Sequence, residues 1–161
     1  EVERAVEAGI VPENLRGEYT QAAARAEFCA LAVGLYETVT GEEITERAEF
    51  SDTDDANVQK LAGLGIVNGV GGGKFNPDAS ITRQEAAAML SRLAEAMGSA
   101  IDSAAPDFTD SGDIAGWASE AVGQMQSSGI MNGVDGGRFD PAGSYTREQS
   151  IMTIVRMLDI L

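Results

Sequence analysis

The chain has 161 residues, 43% of them apolar, enough for one compact domain or one tight repeat array rather than a disordered tail. Eleven basic residues against 26 acidic ones give a formal charge of -15, which opposes phosphate backbones and anionic membrane surfaces and sets nucleic acid aside as a partner. With no His and a lone Cys29 there is no internal disulfide, no ligand set for tetrahedral zinc, and no Ser/His or Cys/His catalytic pair.

Apolar runs are broken by charge or Gly well before the ~18 residues a membrane span needs, so no membrane insertion is expected. The chain opens at Glu1 inside a helical pattern, as a piece of a longer chain would, with its targeting signal elsewhere.

From the N-terminus, the first predicted unit is a short helix ending near Gly9, a loop, and a long helix from Arg25 with apolar Phe28, Leu31, Leu35 and Val39 on one face. Thr38 to Arg47 reads as a connector. The second unit opens with Phe50-Ser51-Asp52, continues through a short helix ending at Gly65 and a Gly/Pro loop, and closes with a long helix carrying Met89, Leu90, Leu93 and Met97. Residues 98–107 form another polar connector. The third unit opens with Phe108-Thr109-Asp110, carries about six extra residues around Gly112 to Gly116, ends its short helix at Gly129, and presents Ile151, Ile154, Val155 and Leu158 on its long helix.

Residues 65–85 align without a gap to residues 129–149, with twelve of 21 positions identical, among them glycines and a proline that fix backbone shape. The first copy is weaker: Gly9-Ile10-Val11 matches Gly65-Ile66-Val67, Gly17-Glu18-Tyr19 is set opposite Gly73-Lys74-Phe75, and Arg25-Ala26-Glu27 matches Arg83-Gln84-Glu85, with a loop two residues shorter. This predicts units at 1–44, 45–101 and 102–161. Like oily faces on three long helices satisfy one another around a shared axis, so the expected fold is mainly α, a pseudo-threefold array of three helix-loop-helix repeats around a central three-helix bundle.

Thr82-Arg83-Gln84-Glu85 and Thr146-Arg147-Glu148-Gln149 fit the capping box, with the hydroxyl at the N-cap and Glu or Gln at the third helical position. In the first copy Ala24 replaces the capping Thr, at a typical cost of ~1 kcal/mol, while Arg25 and Glu27 persist. Arg83 and Arg147 thus fall where the helix dipole disfavours a cation. One reading places an anion there, held by the helix N-terminus and the Arg fork. The other has each Arg bridging to an acidic residue of a neighbouring unit, such as Asp52 or Asp110.

Other features have plain readings. The Gly69 to Lys74 loop lacks the Gly-Lys-Ser/Thr ending and preceding strand of a phosphate loop. Lys74 and Arg138 read as solvated loop charges, and Phe75, Phe139 and Tyr19 as plugs pinning the loop to the core. Trp117, placed at the start of the third short helix, reads first as buried against the next unit and second as a sugar-stacking face. The acidic runs around Asp52 and Asp110 miss the register of a calcium loop, and Cys29 reads as a small buried residue. No metal or cofactor is implied, and no motif selects a carboxylate pair for glycoside chemistry.

The combination of Phe-Ser/Thr-Asp, Gly-Ile-Val-x-Gly, Gly-Lys/Arg-Phe-x-Pro and Ile-Thr-Arg-x-Glu resembles the S-layer homology (SLH) repeat. The second copy is close throughout, the third has Gln149 in place of Glu, and the first lacks its lead-in and its Thr. The resemblance implies a non-catalytic, exported cell-surface module that anchors cargo carried on the same longer chain. It implies binding to a secondary cell-wall polymer, through inter-repeat grooves that recognise a pyruvate-ketal sugar. Residue by residue it assigns the ketal-contacting role to Arg83 and Arg147, and to Arg25 in the divergent copy, with Asp52, Asp110 and Trp117 as groove partners. The alternative is a protein-protein module of a surface lattice without glycan recognition.

Overall fold

The computed structural model describes residues 1–161. Six α-helices carry the fold: α1 (Val2–Glu7), α2 (Arg25–Thr40), α3 (Ala56–Gly63), α4 (Arg83–Ala96), α5 (Ser119–Ser127) and α6 (Arg147–Ile160). Extended structure is confined to isolated bridges, so the chain is mainly α, as expected.

The short helices stop the same way. After α3, Gly65 takes φ +76°, its N–H donates to Ala62 O at 3.0 Å, and the Ile66 N–H donates to Leu61 O at 2.9 Å. That pair of bonds satisfies the last carbonyls and needs a left-handed residue, which glycine adopts at no steric cost. Gly9 and Gly129 repeat it after α1 and α5.

The helices pack in a head-to-tail order. Each long helix meets the short helix that follows it, α2 against α3 and α4 against α5, and α6 returns to α1; α2 also contacts α4 and α6. The predicted faces of the long helices line a single core: Phe28, Leu31, Leu35, Leu90, Leu93, Ile151, Ile154 and Val155 are all buried. Val39 departs from its predicted face and is 39% exposed at the end of α2.

Backbone hydrogen bonds join the three helix pairs in a closed ring. The Ala23 N–H donates to Tyr145 O (2.7 Å), the Tyr145 N–H to Ile81 O (3.2 Å), and the Ile81 N–H to Ala23 O (2.9 Å). Each of these residues lies two positions before a long-helix Arg. The first free amides of the long helices are satisfied across the same boundaries, Arg25, Arg83 and Arg147 donating to Ala79, Gly143 and Gln21 at 2.8, 2.9 and 2.9 Å. The second amides, of Ala26, Gln84 and Glu148, donate to Pro77, Pro141 and Tyr19.

This register corrects the alignment of the first loop. Sequence similarity set Tyr19 opposite Phe75 and Phe139, but the Tyr19 carbonyl does the work of Pro77 and Pro141. Gly17 therefore stands where Phe75 and Phe139 stand, and the buried side chain of that loop is Leu15. Hydrogen-bond register, not residue type, decides the equivalence here.

The predicted connectors are packed rather than free. Ile44 is buried, and a Cβ on Gly63 would lie 2.6 Å from the Arg47 amide nitrogen. A Cβ on Gly123 would collide with the Ala104 carbonyl oxygen in the same way. Two glycines on short-helix faces thus let the preceding connector lie flat on α3 and α5.

Candidate functional site

The two Thr-headed helix starts form complete capping boxes. Thr82 Oγ1 accepts from the Glu85 N–H at 3.2 Å while Glu85 Oε1 accepts from the Thr82 N–H at 3.0 Å. Thr146 and Gln149 do the same at 3.1 and 2.9 Å. In α2 only half survives, with Glu27 Oε1 accepting from the Ala24 N–H at 2.8 Å.

Because these bonds and the neighbouring loop carbonyls occupy the first three amides of α4 and α6, no free backbone donor faces an incoming anion there. An anion at these helix starts would therefore meet side-chain donors rather than free backbone amides. What remains available is the arginine side chains.

Each of these arginines reaches across a boundary. Arg25 Nε donates to Phe75 O at 3.1 Å, its guanidinium lies 4.6 Å from the Phe75 ring centre, and Nη1 pairs with Glu85. Arg147 pairs with Glu27 and, at 3.5 Å, with the exposed Glu18. Its Nε is buried without a hydrogen-bond partner. The acidic partners are therefore the helix-capping glutamates, not Asp52 or Asp110.

Arg83 differs. It is 5% exposed, its Nε donates to Phe139 O at 2.7 Å and its Nη2 to Asn132 O at 2.6 Å, and its guanidinium lies 4.8 Å from the Phe139 ring and 5.3 Å from the Tyr145 ring. The residue in the place of Glu85 and Glu27 is Gln149, and Arg83 has no carboxylate partner. Burial lowers its pKa from the usual arginine value, against the opposing influence of Tyr145, Asp140 and Asp110.

Asp52 and Asp110 serve the loops. Asp52 accepts from the Phe75 and Asn76 N–H groups at 2.9 and 2.8 Å, and Asp110 from those of Phe139 and Asp140 at 2.8 and 2.9 Å. The amides of Phe75 and Asn76 hold the Asp52 carboxyl below its usual range. Asp110, which burial alone would raise, is likewise lowered by its two amides. The preceding Phe50 and Phe108 rings tilt against Phe75 and Phe139 at 5.3 and 5.2 Å, which explains the Phe-Ser/Thr-Asp lead-in as a clamp on the loop. Both carboxylates are taken up by these loop amides, and neither is among the residues lining the two grooves beside the arginines.

Two grooves lie beside these arginines. The first, about 290 Å³, is lined by Arg25, Asn68, Val70, Glu85, Arg92 and Trp117. The second, about 230 Å³, is lined at matching positions by Arg83, Asn132, Val134, Gln149 and Arg156, with Tyr145. Each thus holds two arginines, one at a helix start and one further along the facing helix. Arg92 and Arg156 lie nine residues beyond Arg83 and Arg147, each donating to one carbonyl, Ile66 at 3.3 Å and Ile130 at 3.2 Å.

Sequence reasoning missed Arg92 and Arg156. The signal was present, an Arg at the same offset in both copies, but outside the aligned loop. The first copy has Gly34 at that offset, packed so tightly on the Ile10 carbonyl that a Cβ would collide with it. The boundary around Arg147 therefore has no second arginine of this kind.

Trp117 is corrected in two respects. It lies two residues before α5, and it is 58% exposed instead of buried. With Val70, 57% exposed, it leaves the first groove bordered by apolar surface beside its arginines.

Among known proteins, the S-layer homology domain model matches residues 49–87 and 107–149, about half of the chain, with the first helix pair outside both matches. The chain is 29% identical over 149 residues to an exoglucanase, XynX, of Acetivibrio thermocellus, covering 88% of this chain and 13% of that protein. It is 33% identical over 103 residues to an endoglucanase of Bacillus sp. strain KSM-635, covering 63% and 11%. A cell surface protein of Thermoanaerobacter kivui is 29% identical over 137 residues, covering 81% and 17%. The chain spans less than a fifth of the length of each of these relatives. Repeated capping boxes, loop clamps and the matches over both copies lead to one assignment: the chain belongs to the S-layer homology domain family, a wall-anchoring module of the bacterial cell surface.

Proposed function

We propose that the chain holds a longer protein on the wall non-covalently, by binding an acidic sugar of a secondary wall polymer in its inter-unit grooves. The observation that carries this reading is the pair of matching grooves, each presenting two arginines beside polar loop positions. A guanidinium pair is suited to a carboxylate such as that of a pyruvate ketal. Grooves of about 290 and 230 Å³, just below the usual ligand-pocket range of ~300–1,000 Å³, suit one terminal sugar rather than a length of polymer. Trp117 offers the exposed aromatic face that a sugar ring stacks upon.

The reading takes residues 1–44, 45–101 and 102–161 as three units in a pseudo-threefold array, supported by the closed ring through Ala23, Tyr145 and Ile81. The module itself performs no catalysis. Chemistry and other cargo lie in further parts of a longer chain, as the short share of each relative covered here suggests. An acidic module can bind an acidic polymer because charge beyond a Debye length of roughly 8–10 Å is screened, leaving groove arginines to decide affinity.

The test is retention on protein-free wall sacculi before and after mild chemical removal of the ketal. Retention that disappears with the ketal supports the reading. Retention that survives it, or binding that requires wall protein, points to the lattice alternative.

A further inference from the structure

The two grooves match in position but not in charge. The first holds Arg25, Arg92 and Glu85, with Glu85 ion-paired to Arg25. The second holds Arg83, Arg156 and Gln149, and no carboxylate lines it. Arg83 is 5% exposed and lines this groove, with its Nε and Nη2 donating to the Phe139 and Asn132 carbonyls and no carboxylate paired to it. A buried guanidinium without a counter-charge is costly to hold, and the fold already supplies a carboxylate at the equivalent place in two of three boundaries. Where a local rule is broken against stability, function is the usual reason.

Gln149 is also not required by the helix start. Its Oε1 accepts from the Thr146 N–H at 2.9 Å, a bond that Glu85 makes equally well at the matching position, at 3.0 Å. A Glu at 149 would keep the capping box, add an acidic residue in the first turn where the helix dipole favours it, and neutralise Arg83. Its absence leaves a groove of two formal positive charges where the first groove has one.

We propose that Gln149 is a specificity-determining residue: by leaving Arg83 without a counter-ion it makes the Arg83–Arg156 groove the carboxylate-selective one, while in the Arg25–Arg92 groove Glu85 offsets Arg25, leaving one net positive charge and weaker carboxylate binding beside Trp117. The identity of the carboxylate as an acidic sugar rests on the reading above; the charge inequality of the grooves does not. One net positive charge less in the groove is expected to weaken carboxylate binding by about tenfold.

The experiment follows arginine side-chain Nε–H signals by NMR while sodium pyruvate is titrated into the whole chain. The expected result is that Arg83 and Arg156 respond at concentrations about tenfold lower than Arg25 and Arg92. Gln149→Glu should erase that preference without lowering the melting temperature, and Glu85→Gln should bring the first groove into step with the second. Equal response of both grooves in the unaltered chain, or a preference that survives Gln149→Glu, overturns the proposal. Sacculus retention judges the glycan reading separately: retention with no groove preference sinks this inference alone, and groove preference without retention supports it while sinking the glycan reading.

Discussion

Glu85 joins Arg25 to the start of a different helix: one carboxylate oxygen closes the Thr82 N–H at 3.0 Å and the other pairs with the Arg25 guanidinium across the boundary between the first two helix pairs. Glu27 does the same for Ala24 and Arg147. A residue that sequence motifs class as a helix cap is therefore also the fastener between repeats. Glu85→Gln keeps the cap and removes the charge. Its expected effect is a loss of about 1–2 kcal/mol, because Arg25 is left largely buried and unpaired. Urea unfolding of the variant against the parent measures it.

Gly34 and Gly123 are predicted to be intolerant of a single methyl group. Both lie in helices, and in each case a Cβ would run into a backbone carbonyl, of Ile10 and Ala104, that cannot rotate away. Gly34→Ala and Gly123→Ala should each cost about 1–3 kcal/mol despite the better helix propensity of Ala. Gly112→Ala, with open space around it, should stay within about 0.5 kcal/mol. Thermal unfolding of the three variants separates close approach from ordinary glycine effects.

The loop clamps make stability fall on the acid side. Asp52 and Asp110 have folded pKa values below their unfolded ones, so their contribution is present above the unfolded value of about 3.9 and is lost as pH falls through the folded value. Glu37 adds to this: burial would raise it, but Lys60 and the Ile44 N–H, at 2.9 and 2.8 Å, bring it down. Unfolding midpoints should be flat from about pH 7 to 5 and drop below about pH 4. The variant carrying Asp52→Asn and Asp110→Asn should be less stable at neutral pH, with a shallower acid slope.

Much of this architecture is local and could be read from residue order. A Thr followed three places later by Glu or Gln, and a Gly after a short apolar run, each specify a helix end through nearby backbone bonds, and the α4 and α6 starts and the Gly9, Gly65 and Gly129 ends follow. The partner of each Arg is set by the register between units, which Ala23, Ile81 and Tyr145 fix through backbone atoms that leave no mark on side-chain identity. For the same reason Asp52 and Asp110, acidic and well placed in order, proved to be loop pins, and Trp117, apolar and thus expected inside, stands in solvent beside a groove.

Trp117 also gives a clean separation of stability from binding. With 58% of its surface exposed, Trp117→Ala should change stability by no more than about 0.5 kcal/mol. If the indole carries a sugar face, affinity for wall polymer should fall severalfold, because an aromatic contact is worth about 0.5–1.5 kcal/mol beyond its area. Calorimetric titration with purified polymer, alongside a melting curve, reads both effects.

The most direct test of groove recognition uses Arg92 and Arg156, which are half-buried and hold one long carbonyl bond each, so their removal spares the core that Arg83 helps to form. Retention of the Arg92→Ala, Arg156→Ala double variant on protein-free wall sacculi is the measurement. The account predicts a folded variant with the parent's melting temperature within a few degrees and binding reduced by at least about tenfold. A folded double variant retained as strongly as the parent would contradict it.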